Sequence, residues 1–183
     1  MSGIKSAKTY HFPDDRHYDG ERHMWAKRET AVSPVTIGID TLGLEALGEL
    51  AYISLQAVGI FVKRGESIGV LKAAKMTGDV IAPVSGILLS RNEPIMRNPG
   101  IVDDDPYDQG WLVTIEPHDW ETEAAALVYG DALAAWIETE IERYRDKVKA
   151  RLLHHAARPS LARSARHRQL YDGNPKRGKP FCQ

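Results

Sequence analysis

GVLKAAKMTGDVIAPVSG, from Gly69 to Gly86, is the stretch on which the reading of this chain turns. Val70 and Leu71 enter it, Val80 and Ile81 leave it, and Lys72, Ala73, Ala74, Lys75, Met76, Thr77, Gly78 and Asp79 lie between. Short apolar runs flanking a polar, glycine-containing segment predict two strands joined by an exposed turn with a lysine at its tip. Pro83 and Gly86 then bend the chain, because proline fixes φ and removes a donor while glycine takes conformations that other residues resist. A lysine in such a turn is either a solvated loop charge or a displayed amine. Spacing alone leaves both open.

The order of Lys75, then Ala82-Pro83, then Gly86 resembles the hairpin of the lipoyl and biotinyl carrier family. In that family the lysine amine is the amide-bonded anchor of a swinging cofactor, and the matching position here is Lys75. The two carrier types look alike at this point, and Ala74-Lys75-Met76 is the closer of the two to the biotin pattern.

The chain has 183 residues and 43% hydrophobic content, enough for one domain with extensions. No apolar run approaches the roughly 20 residues needed to span a bilayer. The segment MSGIKSAKTYHFPDD lacks an apolar signal core, so cytoplasmic residence and no membrane partner are expected. Cys182 is the single cysteine and lies among polar residues with no base placed beside it, which gives it neither a disulfide partner nor a catalytic argument. Net charge is −1, yet Arg143 to Gln183 holds twelve Lys/Arg against two Asp/Glu, while Met1 to Glu142 holds twelve against twenty-three. A basic tail of this kind can meet nucleic acid or an anionic surface. Without interleaved aromatics or a binding module, a solvated helix end with a disordered extension fits better, and no nucleic-acid partner is expected.

Residues 1–22 are polar and turn-rich and are expected to form a surface arm. Strands are expected over 23–27 and 35–39, then a brief helix capped by Asp40 or Thr41, with Leu42, Leu44 and Leu47 inward and Gly48 at its end. Gly43 weakens that helix on propensity. Further strands are expected at 51–55, 60–62, on both sides of Lys75, at 87–89 and at 111–115. Residues 92–110 read as a long irregular passage. Its Asp103-Asp104-Asp105 lacks the spacing of a calcium loop and reads as a solvated acidic turn. Residues 119–128 contain a short helix. A longer helix over 131–157 carries Leu133, Trp136, Ile137, Ile141, Tyr144, Val148 and Leu152 at three- and four-residue intervals, one apolar face. Residues 158–183 are a basic tail too poor in apolar residues to order itself.

Over residues 23–128 the chain resembles the H protein of the glycine cleavage system. The signals are His23-x-Trp25, Thr36-Ile37-Gly38-Ile39, Glu45-Ala46-Leu47-Gly48-Glu49-Leu50, Asn92-Glu93, Asp104-Asp105-Pro106-Tyr107 and Gly110-Trp111-Leu112. The segment DPYDQGWL is absent from biotin carriers, so lipoate on Lys75 is expected rather than biotin. The resemblance implies a mainly β fold, a lipoyl-type flattened sandwich (barrel-sandwich hybrid) with short flanking helices and the longer C-terminal helix. It implies a carrier with no active site of its own, whose lipoate is the reactive group while the protein supplies position and recognition. Implied partners are a lipoate ligase or lipoyl transferase, a dihydrolipoyl dehydrogenase, and a pyridoxal-phosphate glycine decarboxylase with a folate-dependent aminomethyltransferase.

Three positions depart from the family pattern. Met24 stands where the family has a glutamate that helps hold the aminomethyl amine, Lys72 where it has a glutamate three residues before the modified lysine, and Leu42 where it has a histidine. Asp79, four residues past the lysine, matches a position the family uses near the amine. A lipoyl scaffold stripped of polar partners for an ammonium fits a diverged H-like carrier, and FPDDRHYD ahead of the His-x-Trp pair resembles the lipoate-binding proteins of bacterial sulfur oxidation. Their arm serves a heterodisulfide-reductase-like complex. An authentic glycine cleavage H protein, a biotinyl carrier and an unmodified binding module are the alternatives. No metal site is expected, since His23, His154 and His155 show no ligand spacing.

Overall fold

The computed structural model describes residues 10–74 and 76–156. Its chain divides at Lys147 into two compact units, Met1–Lys147 and Val148–Gln183. The first holds both β-sheets. In chain order it contains β1 (His17–Asp19), β2 (Met24–Arg28), β3 (Val35–Ile39), α1 (Thr41–Leu47), β4 (Leu50–Leu55), β5 (Phe61–Val62), β6 (Ser67–Ala73), β7 (Thr77–Ile81), β8 (Gly86–Arg91), α2 (Glu93–Arg97), α3 (Gly100–Asp104), β9 (Val113–Pro117) and α4 (Trp120–Ala124). A last helix, α5 (Ala132–Ala156), begins in the first unit and runs into the second.

Six strands form one antiparallel sheet in the order β1-β2-β3-β9-β8-β5, and β4-β6-β7 form the other. Alternation drives the packing. Along β4 Ile53 and Leu55 are buried while Tyr52 and Ser54 are exposed, the period of two that lets one sheet face bury and the other meet water. Ile37, Leu88, Val113 and Ile115 of the larger sheet meet Ile53, Leu71 and Val80 of the smaller in one apolar cluster, so the sheets pack face to face as a flattened sandwich.

Helix α1 starts at Asp40, whose side chain accepts from the Gly43 N–H at 2.8 Å, and stops at Gly48, with φ 88° and its N–H bonded to the Leu44 carbonyl. Gly43 costs the helix propensity, but a Cβ there would lie 2.8 Å from Ile39 Cγ1 and 2.9 Å from His23 Cβ. Close helix-to-strand packing requires the residue that propensity disfavours.

Three expectations need correction. Residues 17–19 of the expected surface arm are β1, paired with β2, and Tyr18 is wholly buried, bridging to Val128 and donating its hydroxyl to the Pro13 carbonyl. Three residues are too short for a periodic signal, and the aromatic cluster of Tyr18, Phe12 and Trp136 holds them in place. The passage 92–110 is less irregular than expected, since α2 and α3 lie within it. The buried Asn92 amide donates to the Gln109 and Trp111 carbonyls at 2.8 and 2.7 Å and ties its ends together. Finally, the apolar face of α5 is buried only in its first part. Leu133, Trp136 and Ile137 pack with Tyr18 and Trp25, and the Tyr144 hydroxyl reaches the Glu45 carbonyl. Within the second unit Val148, Leu152 and Leu153 are exposed. The expected tail, 158–183, lies outside the described residues, as does residue 157. Among the described residues no helix is long and apolar enough to cross a membrane.

Candidate functional site

The β6–β7 hairpin is the expected attachment turn. Lys72 pairs with Thr77, and the Ala73 N–H donates to the Met76 carbonyl at 2.9 Å, closing the ladder immediately before the turn. The Ala74 N–H donates to the Glu49 carbonyl at 3.0 Å, which ties the hairpin to the loop after α1. Lys75 itself lies outside the described residues. Its neighbours Ala74 and Met76 are both exposed, while Leu71 and Val80 anchor the hairpin in the core. Ala82 and Val84 are fully buried beyond it, so the Ala-Pro pair enters the sandwich.

Opposite the core, the outer face of this sheet carries two rows in register, Tyr52–Lys72–Thr77 and Ser54–Val70–Asp79. The Lys72 ammonium lies 5.5 Å from the centre of the half-exposed Tyr52 ring, a cation–π contact. Asp79 is exposed and accepts from Ser67 Oγ at 3.5 Å. Met24 and Leu42 are elsewhere, at 1% and 0% exposure inside the fold. Asp79 faces water while the two positions that the resemblance groups with it are sealed, so the three do not line one opening.

A cleft of about 570 Å³ lies between α1 and the α3 segment; Leu44, Glu45, Glu49, Asp103 and Tyr107 are among its walls. Sequence reading did not find it, because its walls come from segments far apart in the chain. Two members of the triple aspartate accept from the backbone, Asp103 from the Leu50 N–H at 2.9 Å and Asp105 from the N–H groups of Asp108 and Gln109. Burial holds the Asp103 carboxyl above its usual range, the Glu49 and Asp104 charges adding to the rise against the Leu50 hydrogen bond. Among the described residues no three His, Cys, Asp or Glu side chains gather as metal ligands, and Cys182 lies outside those residues.

His23 has φ 58°, a left-handed backbone rare for a non-glycine residue, and its Nδ1 is 3.1 Å from Asp40 Oδ2. Burial by itself pushes this imidazole down. The Asp40 hydrogen bond and charge, with the Glu140 charge from α5, outweigh burial and the opposing Lys147, so the net shift is upward. A raised folded value means a stabilising contribution that is complete below the unfolded value of about 6.5 and is lost as pH rises through the folded value. Urea midpoints are therefore expected to fall as pH rises from about 6.5 through the folded value. His23→Asn, which tolerates the same backbone, should flatten that slope; an unchanged slope would remove His23 as its source.

The hairpin is thus an exposed turn whose two strands are anchored in the core. The comparisons with known proteins agree with that geometry. The family model described as glycine cleavage H-protein matches residues 16–140. The glycine cleavage system H protein of Anaeromyxobacter sp. (strain K) is 37% identical over 128 residues, which cover 70% of this chain and 97% of that protein. The glycine cleavage system H protein 2 of Aquifex aeolicus (strain VF5) is 30% identical over 131 residues, 72% of this chain and 81% of its own length. The crystal structure of a glycine cleavage system H protein from Mycobacterium marinum superposes with a TM-score of 0.55 at 33% identity, covering 63% of this chain and 98% of that one.

Proposed function

This chain belongs to the glycine cleavage H-protein family, a family of lipoyl carriers without catalytic activity of their own, and from that premise we propose that Lys75 is the lipoylated residue. The observation that carries the assignment is the hairpin itself: the strand ladder closes at Ala73 and Met76, and the core-anchored strands hold the exposed turn between them. Lys72 lies within β6, its ammonium laid against Tyr52. A lipoyl group amide-bonded at the turn supplies a dithiolane that can be opened by reduction and loaded with a group. The hairpin's part is positional: it tethers the group to the domain, so that partner enzymes meet it at a high local concentration.

Family membership implies a lipoate ligase and dihydrolipoyl dehydrogenase as partners, with glycine decarboxylase and aminomethyltransferase for members that carry aminomethyl. What this chain carries is a finer question. The burial of Met24 and Leu42 supports a cargo without an ammonium, because a thioether and an isobutyl group inside the core offer a cation neither charge nor acceptor. That favours the sulfur-oxidation branch, with a heterodisulfide-reductase-like complex as the acceptor. The names of the relatives favour the second reading, an aminomethyl carrier, for which Asp79 on the outer face is the available carboxylate.

The two readings separate on loading. Offered glycine and a glycine decarboxylase, the lipoylated protein is expected to load slowly and to lose its aminomethyl group to water soon after. One exposed ion pair contributes about 0–1 kcal/mol, so Asp79 would improve retention by no more than about fivefold. Loading and retention equal to those of an ordinary H protein would establish the aminomethyl reading instead.

A further inference from the structure

Two separate apolar clusters fill the first unit. The sandwich core, with Ile37, Leu71, Leu88 and Ile115 in it, takes no residue from the segment before β1 or from α5. The second cluster gathers Tyr18, Trp25 and Leu133, and Phe12, Trp136 and Ile137 pack against it. It therefore joins the N-terminal segment to the first part of α5, with the sandwich supplying the seat. A core that is complete without a satellite cluster can keep its fold while the satellite opens, which is how one domain comes to have regions of different local stability.

Side chains, and no ladder, fasten the two segments. Among the described residues, backbone hydrogen bonds join neither residues 10–16 nor 134–147 to a sheet. Instead the Phe12 ring stands edge-on to both Tyr18 and Trp136 at 5.6 Å, and Trp136 stacks on Tyr18 at 5.4 Å. Tyr10 stands edge-on to Tyr144 at 6.4 Å. The seat for Trp136 is shaped by Gly20, where a Cβ would lie 2.5 Å from the indole nitrogen. Each segment leaves a fixed point through a pliable one. Behind the exposed Asp14 and Asp15, Arg16 is held over the Trp25 and Tyr107 rings. Ahead of α5, Val128 is bonded both ways to Tyr18, and Gly130 follows with φ 62° and open space around it.

Tyr10 and His11 also form one wall of the cleft between α1 and α3. There the His11 ring stands edge-on to Tyr107 at 5.9 Å, and Thr41 Oγ1 donates to the His11 carbonyl at 3.2 Å. We propose that residues 10–13 and 132–147 form a latch that opens as one unit, hinged at Asp14, Asp15 and Gly130, and that its opening removes this wall and uncovers the cleft. The latch does not depend on what Lys75 carries.

Hydrogen–deuterium exchange on the full-length protein, read by mass spectrometry, tests the coupling. The amides of 132–147 should exchange together and faster than those of β3, β6 and β9. Phe12→Ala removes the shared ring and Gly20→Ala crowds the Trp136 seat; neither lies in α5. Each should speed exchange over 132–147 by about tenfold or more and leave the three strands unchanged. The cleft is read by a thiol reagent on Glu45→Cys in a Cys182→Ser background, where adding Phe12→Ala should raise the labelling rate several-fold. Exchange over 132–147 as slow as in the strands, or untouched by both variants, overturns the latch. Strands that speed up together with α5 would make the two clusters one cooperative unit and overturn it as well. Unchanged labelling at residue 45 would overturn the link to the cleft.

Discussion

Trp25→Ala should cost about 3–5 kcal/mol, the largest loss of stability expected from one substitution in the sandwich. The side chain is 1% exposed. Its indole N–H lies 3.1 Å from both the Ile39 and Pro106 carbonyls, and the Arg16 guanidinium lies 4.7 Å over the ring. A Cβ on Gly38 would come within 2.3 Å of the same ring, so the Thr-Ile-Gly-Ile segment leaves room for the tryptophan. Alanine would remove the ring, free two buried acceptors and strip a cation of its aromatic face. Thermal melting should drop by roughly 10 °C. A drop of a degree or two would mean that the site collapses around the loss. Two of the sequence signals for the family, His-x-Trp and Thr-Ile-Gly-Ile, are thus one packing unit.

Lys75→Arg should abolish lipoyl incorporation outright. A guanidinium stays protonated and does not form the amide that an amine forms, while the substitution keeps the charge and length of the turn residue. With a lipoate ligase, ATP and lipoate, the wild type should be modified and Lys75→Arg should show no adduct. Lys72→Arg should be modified like the wild type, because Lys72 lies in the ladder opposite Thr77. Adduct retained in Lys75→Arg would transfer the attachment to another lysine.

The sandwich was legible because its strands alternate. Val35–Ile39 reads from the sequence with the same bounds that the fold gives it. Gly48 likewise declares the end of α1 by local chemistry, and of the two candidate caps, Asp40 and Thr41, the fold uses Asp40. Tyr18 shows the opposite case: a three-residue strand has no period to detect, and its burial comes from Phe12 and Trp136. Asn92 folds 92–110 through bonds to carbonyls seventeen and nineteen residues away, beyond any local pattern. On α5 a single apolar stripe was visible, but the stripe does not say how much of it meets a surface; Val148 and Leu152 are exposed. At the site, the hairpin was legible from Gly69 to Gly86, whereas the sealing of Met24 and Leu42 and the half-exposed Tyr52 beside Lys72 depend on which face each residue takes in three dimensions.

The central claim is that this chain is a lipoyl carrier modified at one lysine. Intact mass of the protein purified from its native cells, followed by peptide mapping, tests it most directly. The account predicts a single lipoyl adduct on the peptide that contains Lys75. A biotinyl adduct, a lipoyl group on Lys72, or a chain that is never modified in those cells would contradict it.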